Sequence, residues 1–235
     1  DNEKLDIFKK NNIVYLFVDV GDIDNGGNLL TSDEDISYFI NFIADYEKQN
    51  NYDFILLPYT EVILETYDFN SEFQNNLIRS YNHLSNLGFD GAHIDIEAIP
   101  LDKRGGYIKF IDNLRLKIGN NKLIAVYPGL IDENPNEWEW DLDFYREVYD
   151  KVDLITIGAY DTGIDNNIEY SEYIKNQINT INSNFKGKFI FIAPTHKDYP
   201  ETIENSLEIF NSTSNKLDDS FIGIGIFAEW ATNDK

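Results

Sequence analysis

The sequence contains no cysteine and no methionine among its 235 residues, and only three histidines. Without cysteine, disulfide bonds, thiol catalysis and cysteine-ligated metal sites are excluded. The histidines show no spacing typical of a metal site, so we expect neither a metal ion nor another cofactor. No apolar run reaches the roughly 18 residues that a membrane-spanning helix requires. We therefore do not expect membrane insertion.

Positive charge is also scarce. Nineteen Lys and Arg residues stand against 42 Asp and Glu residues, which gives a formal net charge of −23. An acidic surface repels nucleic acid and anionic lipid and favours neutral or cationic ligands. A high net charge also keeps a protein soluble and opposes self-association. We expect a monomer with no nucleic-acid partner.

A chain that starts at Asp1 and contains no methionine is not expected to be a complete translation product. No signal peptide is recognisable in the residues present. A signal sequence, more of the domain, or both are therefore expected upstream of Asp1.

Apolar, β-branched segments are abundant. They recur at intervals of about 30 to 40 residues, the length of one strand–helix unit. Their near-continuous apolar character is typical of parallel strands that are buried on both faces. Seven such strands are predicted, at residues 13–20, 54–59, 89–96, 123–127, 152–160, 189–193 and 221–227.

Helical patterns fill the intervals between these strands. Thr31 and Glu34 predict a capping box at the start of one helix. Two apolar stripes end at Gly88 and Gly119, which suit helix C-termini. Residues 1–12 resemble the end of a helix, and further helices are predicted at residues 142–150, 170–183 and 201–215. No linker interrupts the alternation, which predicts one α/β domain over residues 1–235 with either a doubly wound sheet or a closed barrel.

Polar and aromatic residues at the ends of the predicted strands favour the barrel. The glycine-rich motifs of nucleotide-binding open sheets are absent. Active sites of barrels are built at the C-terminal ends of the strands, where the sequence places Asp19, Tyr59, Glu97, Tyr127, Tyr160, Asp161, Glu229 and Trp230. We predict a TIM-type (β/α)8 barrel that is N-terminally truncated and lacks its first strand in this chain.

The segment GFDGAHIDIEAIP, residues 88–100, is the richest in candidate chemistry. Alternation along a strand places His93, Asp95 and Glu97 on one face, with the two carboxylates about 6.5 to 7 Å apart along it. Their repulsion raises the pKa of one acid toward that of a proton donor. Such a pair suits glycoside hydrolysis. It is also compatible with a solvated pair at the mouth of the sheet or with a buried structural network.

Residues 90–97, DGAHIDIE, resemble the D-G-x-D-x-D-x-E signature of glycoside hydrolase family 18, the chitinase-like (β/α)8 barrels. The resemblance implies that Glu97 is the general acid. It also implies that Asp95 supports the substrate's N-acetyl group, which acts as the nucleophile. In the family this strand is the fourth, which agrees with a first strand missing from the chain.

Two later segments extend the resemblance. Residues 158–161, GAYD, are similar to the family's M-x-Y-[DN], which implies that Tyr160 bonds the acetamido carbonyl and that Asp161 contacts the sugar. Trp230 matches the family's Trp at the floor of the sugar site, where an indole stacks on a pyranose. Packing at the barrel end is the other interpretation of Trp230. The remaining candidate substrate-binding residues are Tyr59, His93, Tyr127 and Glu229.

Two residues depart from the family pattern. His93 replaces the first Asp of D-x-D-x-E, either as an imidazolium bonded to Asp95 or as a neutral residue that fills the core. Gly158 replaces the usual Met and is expected to leave room beneath the sugar. In the loop after the fifth family strand, Trp138 and Trp140 form either sugar platforms or a lid folded onto itself.

The sequence therefore predicts a secreted or cell-surface glycoside hydrolase similar to family 18. Its partner would be a polysaccharide or oligosaccharide with β linkages, N-acetylated if the resemblance extends to the substrate. The alternative is a catalytically inactive chitinase-like protein that binds carbohydrate or serves as a scaffold. His93 motivates this alternative, and the retained Glu97 argues against it. A barrel hydrolase of another class is disfavoured because no ligand set for a metal is apparent.

Overall fold

The structure is a computed structural model that describes residues 1–195, 200–213 and 220–228. Strands and helices follow one another along the described residues largely as predicted. The chain divides into two compact units, Asp1–Val126 with Arg146–Val152 and Tyr127–Tyr145 with Asp153–Lys235. That the 235 residues form one domain stays a prediction.

The first unit has strands and helices in alternation. Its elements are α1 (Asn2–Lys10), β1 (Tyr15–Asp19), α2 (Asp33–Asn50), β2 (Ile55–Tyr59), β3 (Glu61–Ile63), α3 (Ser71–Leu87), β4 (Gly91–Glu97), α4 (Arg104–Ile118) and β5 (Leu123–Val126). The division between the two units falls within α5 (Leu142–Tyr149).

All strand pairs of the first unit are parallel. β1 pairs with β2 so that Asp19 lies opposite Tyr59. β3 pairs with β4 so that Glu61 lies opposite Asp95, and β4 also pairs with β5. Because the C-terminal ends of parallel strands meet at one edge, the acidic strand ends lie close together.

The ends of two helices test the predicted caps. Ser32 is the N-cap of α2, and its hydroxyl accepts a hydrogen bond from the amide of Asp35 at 3.2 Å. The predicted cap at Thr31 is wrong, because the Thr31 hydroxyl instead donates to the carbonyl oxygen of Val20 at the end of β1. Gly88 ends α3 as predicted, with a φ of 135° that favours glycine.

The second unit contains β6 (Leu130–Ile131), β7 (Glu139–Trp140), β8 (Leu154–Gly158), α6 (Asn167–Asn184), β9 (Phe189–Pro194), α7 (Ile203–Thr213) and β10 (Phe221–Phe227). β9 pairs in parallel with both β8 and β10. β8 is buried along its whole length, as expected for a strand covered on both faces. Helices α6 and α7 pack on β9 around a core of Ala159, Tyr170, Ile174, Ile178, Phe191, Ala193, Ile209 and Phe210.

All seven predicted strands are present, and their ends differ from the predicted ones by at most two residues. The short strands β3, β6 and β7 were not predicted, because runs of two or three residues show no periodicity. An eighth barrel strand upstream of Asp1 stays a prediction. No helix in the described segments is long and apolar enough to cross a membrane.

Candidate active site

β4 carries the candidate catalytic acids. Ala92, Ile94 and Ile96 are almost completely buried on one face. His93, Asp95 and Glu97 alternate with them and point to the other face. The strand starts where only glycine fits, since a Cβ on residue 91 would lie 1.9 Å from the Leu123 carbonyl oxygen of β5.

Asp95 and Glu97 form a hydrogen-bonded pair of carboxyl groups. Burial raises the pKa of Asp95 well above its usual value, and the negative charges of Glu97 and Glu61 raise it further. Among the described residues, the buried Oδ1 atom of Asp95 has no hydrogen-bond partner. The pair therefore retains a proton at pH values where an ordinary aspartate is ionised.

Two further acids and a tyrosine surround this pair. Asp19 and Glu61 both raise the pKa of Asp95 by their charge. The pKa of Tyr59 is raised by burial first and then by the charges of Asp19, Asp95 and Glu61. The sequence indicated Asp19 and Tyr59, but it did not single out Glu61. Tyr59 and Glu61 are two residues apart, so in one continuous strand their side chains would lie on the same face, and this spacing was the available signal. The chain is divided between them into β2 and β3, which obscured the signal.

His93 packs among aromatic side chains. It is 7% exposed, and its ring centroid lies 4.7 Å from that of Phe17 and 5.7 Å from that of Tyr59. Burial lowers the pKa of His93 to about 3. The histidine is therefore neutral near pH 7, which favours the core-filling interpretation over the imidazolium. Its assignment to substrate binding stays a prediction.

In the second unit, three aromatic rings form a stack with Tyr160, which follows β8, at its centre. The rings of Tyr127 and Tyr160 are 6.0 Å apart and 15° from parallel. Tyr160 also stacks on Phe227 at 5.2 Å and 15°. A Cβ on Gly158 would lie 2.7 Å from the Tyr127 hydroxyl oxygen and 2.9 Å from Tyr160 Cε1. The expected room at Gly158 is therefore filled by the two tyrosines, which would have to shift if residue 158 carried a Cβ.

Asp161 follows this stack and has a left-handed backbone with a φ of 56°. Its side chain is exposed, and its amide donates to the Glu201 carboxylate at 2.7 Å. Sequence reasoning missed Glu201. It lies 40 residues from Asp161, and no local pattern connects the two.

The two tryptophans after β5 have different environments. Trp140 is 2% exposed and packs against Phe144 at 4.5 Å and Tyr145 at 5.3 Å between ring centroids. Trp138 is 41% exposed. Trp140 is therefore a packing residue of the loop, and only Trp138 is accessible as a platform.

Some of the predicted site cannot be placed. Glu229 and Trp230 lie outside the described residues. The roles of Glu97, Asp95, Tyr160 and the candidate sugar contacts stay predictions. Within the described ranges, no group of three or more His, Asp or Glu residues could hold a metal ion.

No protein-family model matches the sequence, and no curated protein matches it. Solved structures do share its fold. A class V chitinase from Pseudomonas fluorescens has a TM-score of 0.64 at 15% identity, over 99% of this chain and 92% of its own. The spore cortex-lytic enzyme SleL of Bacillus megaterium has a TM-score of 0.64 at 12% identity, over 97% of this chain and 67% of its own.

SleL of Bacillus cereus has a TM-score of 0.54 at 16% identity over 83% of this chain. The chain spans 47% of that enzyme and 61% of the ydhD protein of Bacillus subtilis. At these identities the likeness shows the fold alone. The fold is the TIM-type, chitinase-like fold of glycoside hydrolase family 18, as predicted.

Proposed function

We propose that the protein is a glycoside hydrolase similar to family 18, which cleaves a β-linked glycan with Glu97 as general acid. The observation that carries this proposal is the Asp95–Glu97 pair at the end of β4, which retains a proton because burial raises the pKa of Asp95. Fold neighbours that are chitinases and cortex-lytic enzymes support a glycan as the class of substrate.

The shared proton gives each acid a role. In the resting pair, Asp95 holds the proton and donates a hydrogen bond to the Glu97 carboxylate. When the N–H of a substrate acetamido group donates to Asp95, the ionised form of Asp95 is stabilised. The proton then resides on Glu97, which delivers it to the glycosidic oxygen as the bond to the anomeric carbon breaks.

The acetamido carbonyl oxygen attacks the anomeric carbon. Because the substrate supplies this nucleophile, the reaction requires no second enzyme carboxylate. Tyr160 supports this step by donating its hydroxyl proton to that carbonyl oxygen. Glu97, now ionised, accepts a proton from the water that completes hydrolysis. Asp161 and Trp230 are proposed sugar contacts, together with Tyr59, His93, Tyr127 and Glu229.

We further propose that the substrate is an extracellular or cell-surface polysaccharide and that the protein acts as a monomer. A net charge of −23 opposes self-association, which supports the monomer.

Measurements of turnover and of binding together distinguish a hydrolase from a protein that only binds carbohydrate. We expect the wild-type protein to hydrolyse N-acetylated β-linked oligosaccharides and Glu97→Gln to bind them without cleaving them. Glu65→Gln is the matched control, because Glu65 is an exposed acid of the same unit. Binding without turnover in the wild-type protein would favour the inactive, carbohydrate-binding alternative.

A further inference from the structure

We infer that Glu201 is a positioning residue for the proposed reaction and fixes the segment Tyr160–Thr162 that would contact the substrate. The inference rests on the proposed roles of Tyr160 and Asp161. It concerns a residue that the sequence motifs do not include.

Both carboxylate oxygens of Glu201 are occupied by this segment. One oxygen accepts the amide proton of Asp161 at 2.7 Å. The other accepts the amide proton of Thr162 at 2.8 Å and its hydroxyl proton at 2.5 Å. A carboxylate that accepts three hydrogen bonds from two consecutive residues fixes their backbone.

The backbone at this point needs such support. Asp161 has a φ of 56°, a left-handed conformation that is unfavourable for residues other than glycine. The turn separates Tyr160, buried in the aromatic stack, from the exposed side chain of Asp161. Without the two amide bonds to Glu201, Asp161 is expected to relax toward the common right-handed or extended conformations.

Glu201 is itself held just ahead of α7. The Thr202 hydroxyl accepts the amide proton of Asn205 at 3.2 Å, and the Asn205 side chain donates to the Pro200 carbonyl at 2.8 Å. These bonds fix the residues on both sides of Glu201 to the first turn of α7.

A second connection joins α7 to the start of the same segment. The Tyr170 hydroxyl donates to the Ala159 carbonyl at 2.6 Å and lies 2.8 Å from the Ser206 hydroxyl of α7. Residues 159 to 162 are therefore connected at two points to α7 and the residues just ahead of it. One is the buried Tyr170–Ser206 contact, and the other is Glu201.

Glu201→Gln tests this role with little change in size. The side-chain nitrogen of Gln cannot accept a hydrogen bond. The backbone amide of either Asp161 or Thr162 would therefore face another hydrogen-bond donor. We expect a decrease of about 10- to 100-fold in kcat/KM for an N-acetylated oligosaccharide, because small displacements of substrate-positioning groups have effects of this size. Glu204→Gln is the matched control, since Glu204 is exposed on α7. We expect it to have wild-type kinetics.

Two readouts separate positioning from a general loss of structure. Amide hydrogen exchange at Asp161 and Thr162 should become faster in Glu201→Gln, while exchange in β9 stays as in the wild-type protein. Thr162→Ser retains the hydroxyl and should keep most of the activity, whereas Thr162→Val removes it and should lose part.

The outcomes distinguish the inference from the proposed function. Wild-type turnover combined with unchanged kinetics in Glu201→Gln would overturn the inference and leave the proposed function intact. A loss of activity accompanied by faster exchange throughout β9 would also overturn it. A wild-type protein that neither binds nor cleaves glycans would overturn the proposed function and the inference together.

Discussion

Burial moves the pKa values of two neighbouring residues of β4 in opposite directions. It lowers the pKa of His93 to about 3 and raises that of Asp95 well above its usual value. Both shifts disfavour the charged form. At the residue scale, β4 therefore carries a neutral imidazole and a protonated carboxyl group on the face that also bears Glu97.

The shift of His93 predicts a change in stability with pH. Below its ordinary pKa of 6.5 the unfolded chain gains a proton that the folded chain does not accept until about pH 3. The contribution of His93 to the free energy of unfolding is therefore present above pH 6.5. It falls by up to about 1.4 kcal/mol per pH unit as the pH decreases toward 3.

Urea unfolding at pH 7 and pH 5 measures this effect. His93→Gln should reduce the loss of stability between the two pH values relative to the wild-type protein. His83→Gln should not have this effect, because His83 is half-exposed and lies 2.8 Å from Asp33. An unchanged pH dependence in His93→Gln would show that His93 is not the group responsible.

The Asp95–Glu97 pair predicts how kcat/KM decreases at alkaline pH, the alkaline limb of the pH profile. In the wild-type protein the last proton of the pair is lost at a raised pH, since ionising the second acid places two negative charges side by side. Asp95→Asn removes one of those charges. The alkaline limb of kcat/KM should therefore move to lower pH, and kcat should also fall because the acetamido group loses its ionised partner.

A pH profile of kcat/KM checks this prediction. Asp68→Asn is a suitable control because Asp68 is exposed in the same unit. A limb that stays in place in Asp95→Asn would exclude Asp95 from sharing the catalytic proton.

At the scale of elements, the segment from β6 to β7 is rigidly fixed. The Gln177 side chain accepts the amide proton of Ile131 at 2.9 Å and donates to its carbonyl at 2.8 Å. The Tyr145 hydroxyl donates to the Gly129 carbonyl at 2.6 Å. Trp140 is buried against this framework, while Trp138 stays exposed.

Two alanine substitutions should therefore differ strongly in stability. Trp140→Ala removes a buried indole and should lower the free energy of unfolding by about 3 to 5 kcal/mol. Trp138→Ala should change it by less than about 0.5 kcal/mol. Urea unfolding of both variants at one pH makes the comparison. Equal losses would contradict the assignment of Trp140 as the packing residue.

The long strands and helices were predictable because each carries a periodic apolar pattern. Gly88 was identified as a helix end for a local reason, the φ that glycine tolerates. Thr31 was misassigned because its hydroxyl bonds to Val20, a tertiary contact. Glu61 and Glu201 were missed for a similar reason, since their partners are brought to them by folding.

At the scale of the whole molecule, the fold was predicted although no family model matches the sequence. The solved neighbours are only 12 to 16% identical over most of the chain. An alternation of buried strands and helices can be retained at such low sequence identity, because several different apolar side chains can fill the same buried position. Chemistry is concentrated in a few side chains, and the sequence resemblance rested on the short motif around Glu97, from whose family pattern Gly158 and His93 depart. How these two fit into the structure could not be predicted, since it depends on Tyr127, Phe17 and Tyr59.

General-acid catalysis by Glu97 is most directly tested by comparing two leaving groups. An alcohol leaving group requires protonation, whereas dinitrophenolate does not. Glu97→Gln should lower the rate on an N-acetylated β-linked oligosaccharide by about 10²- to 10⁴-fold. The first-turnover release of dinitrophenolate from the matching aryl glycoside should fall far less. Equal losses on both substrates, or no loss on the oligosaccharide, would contradict the assignment of Glu97 as the general acid.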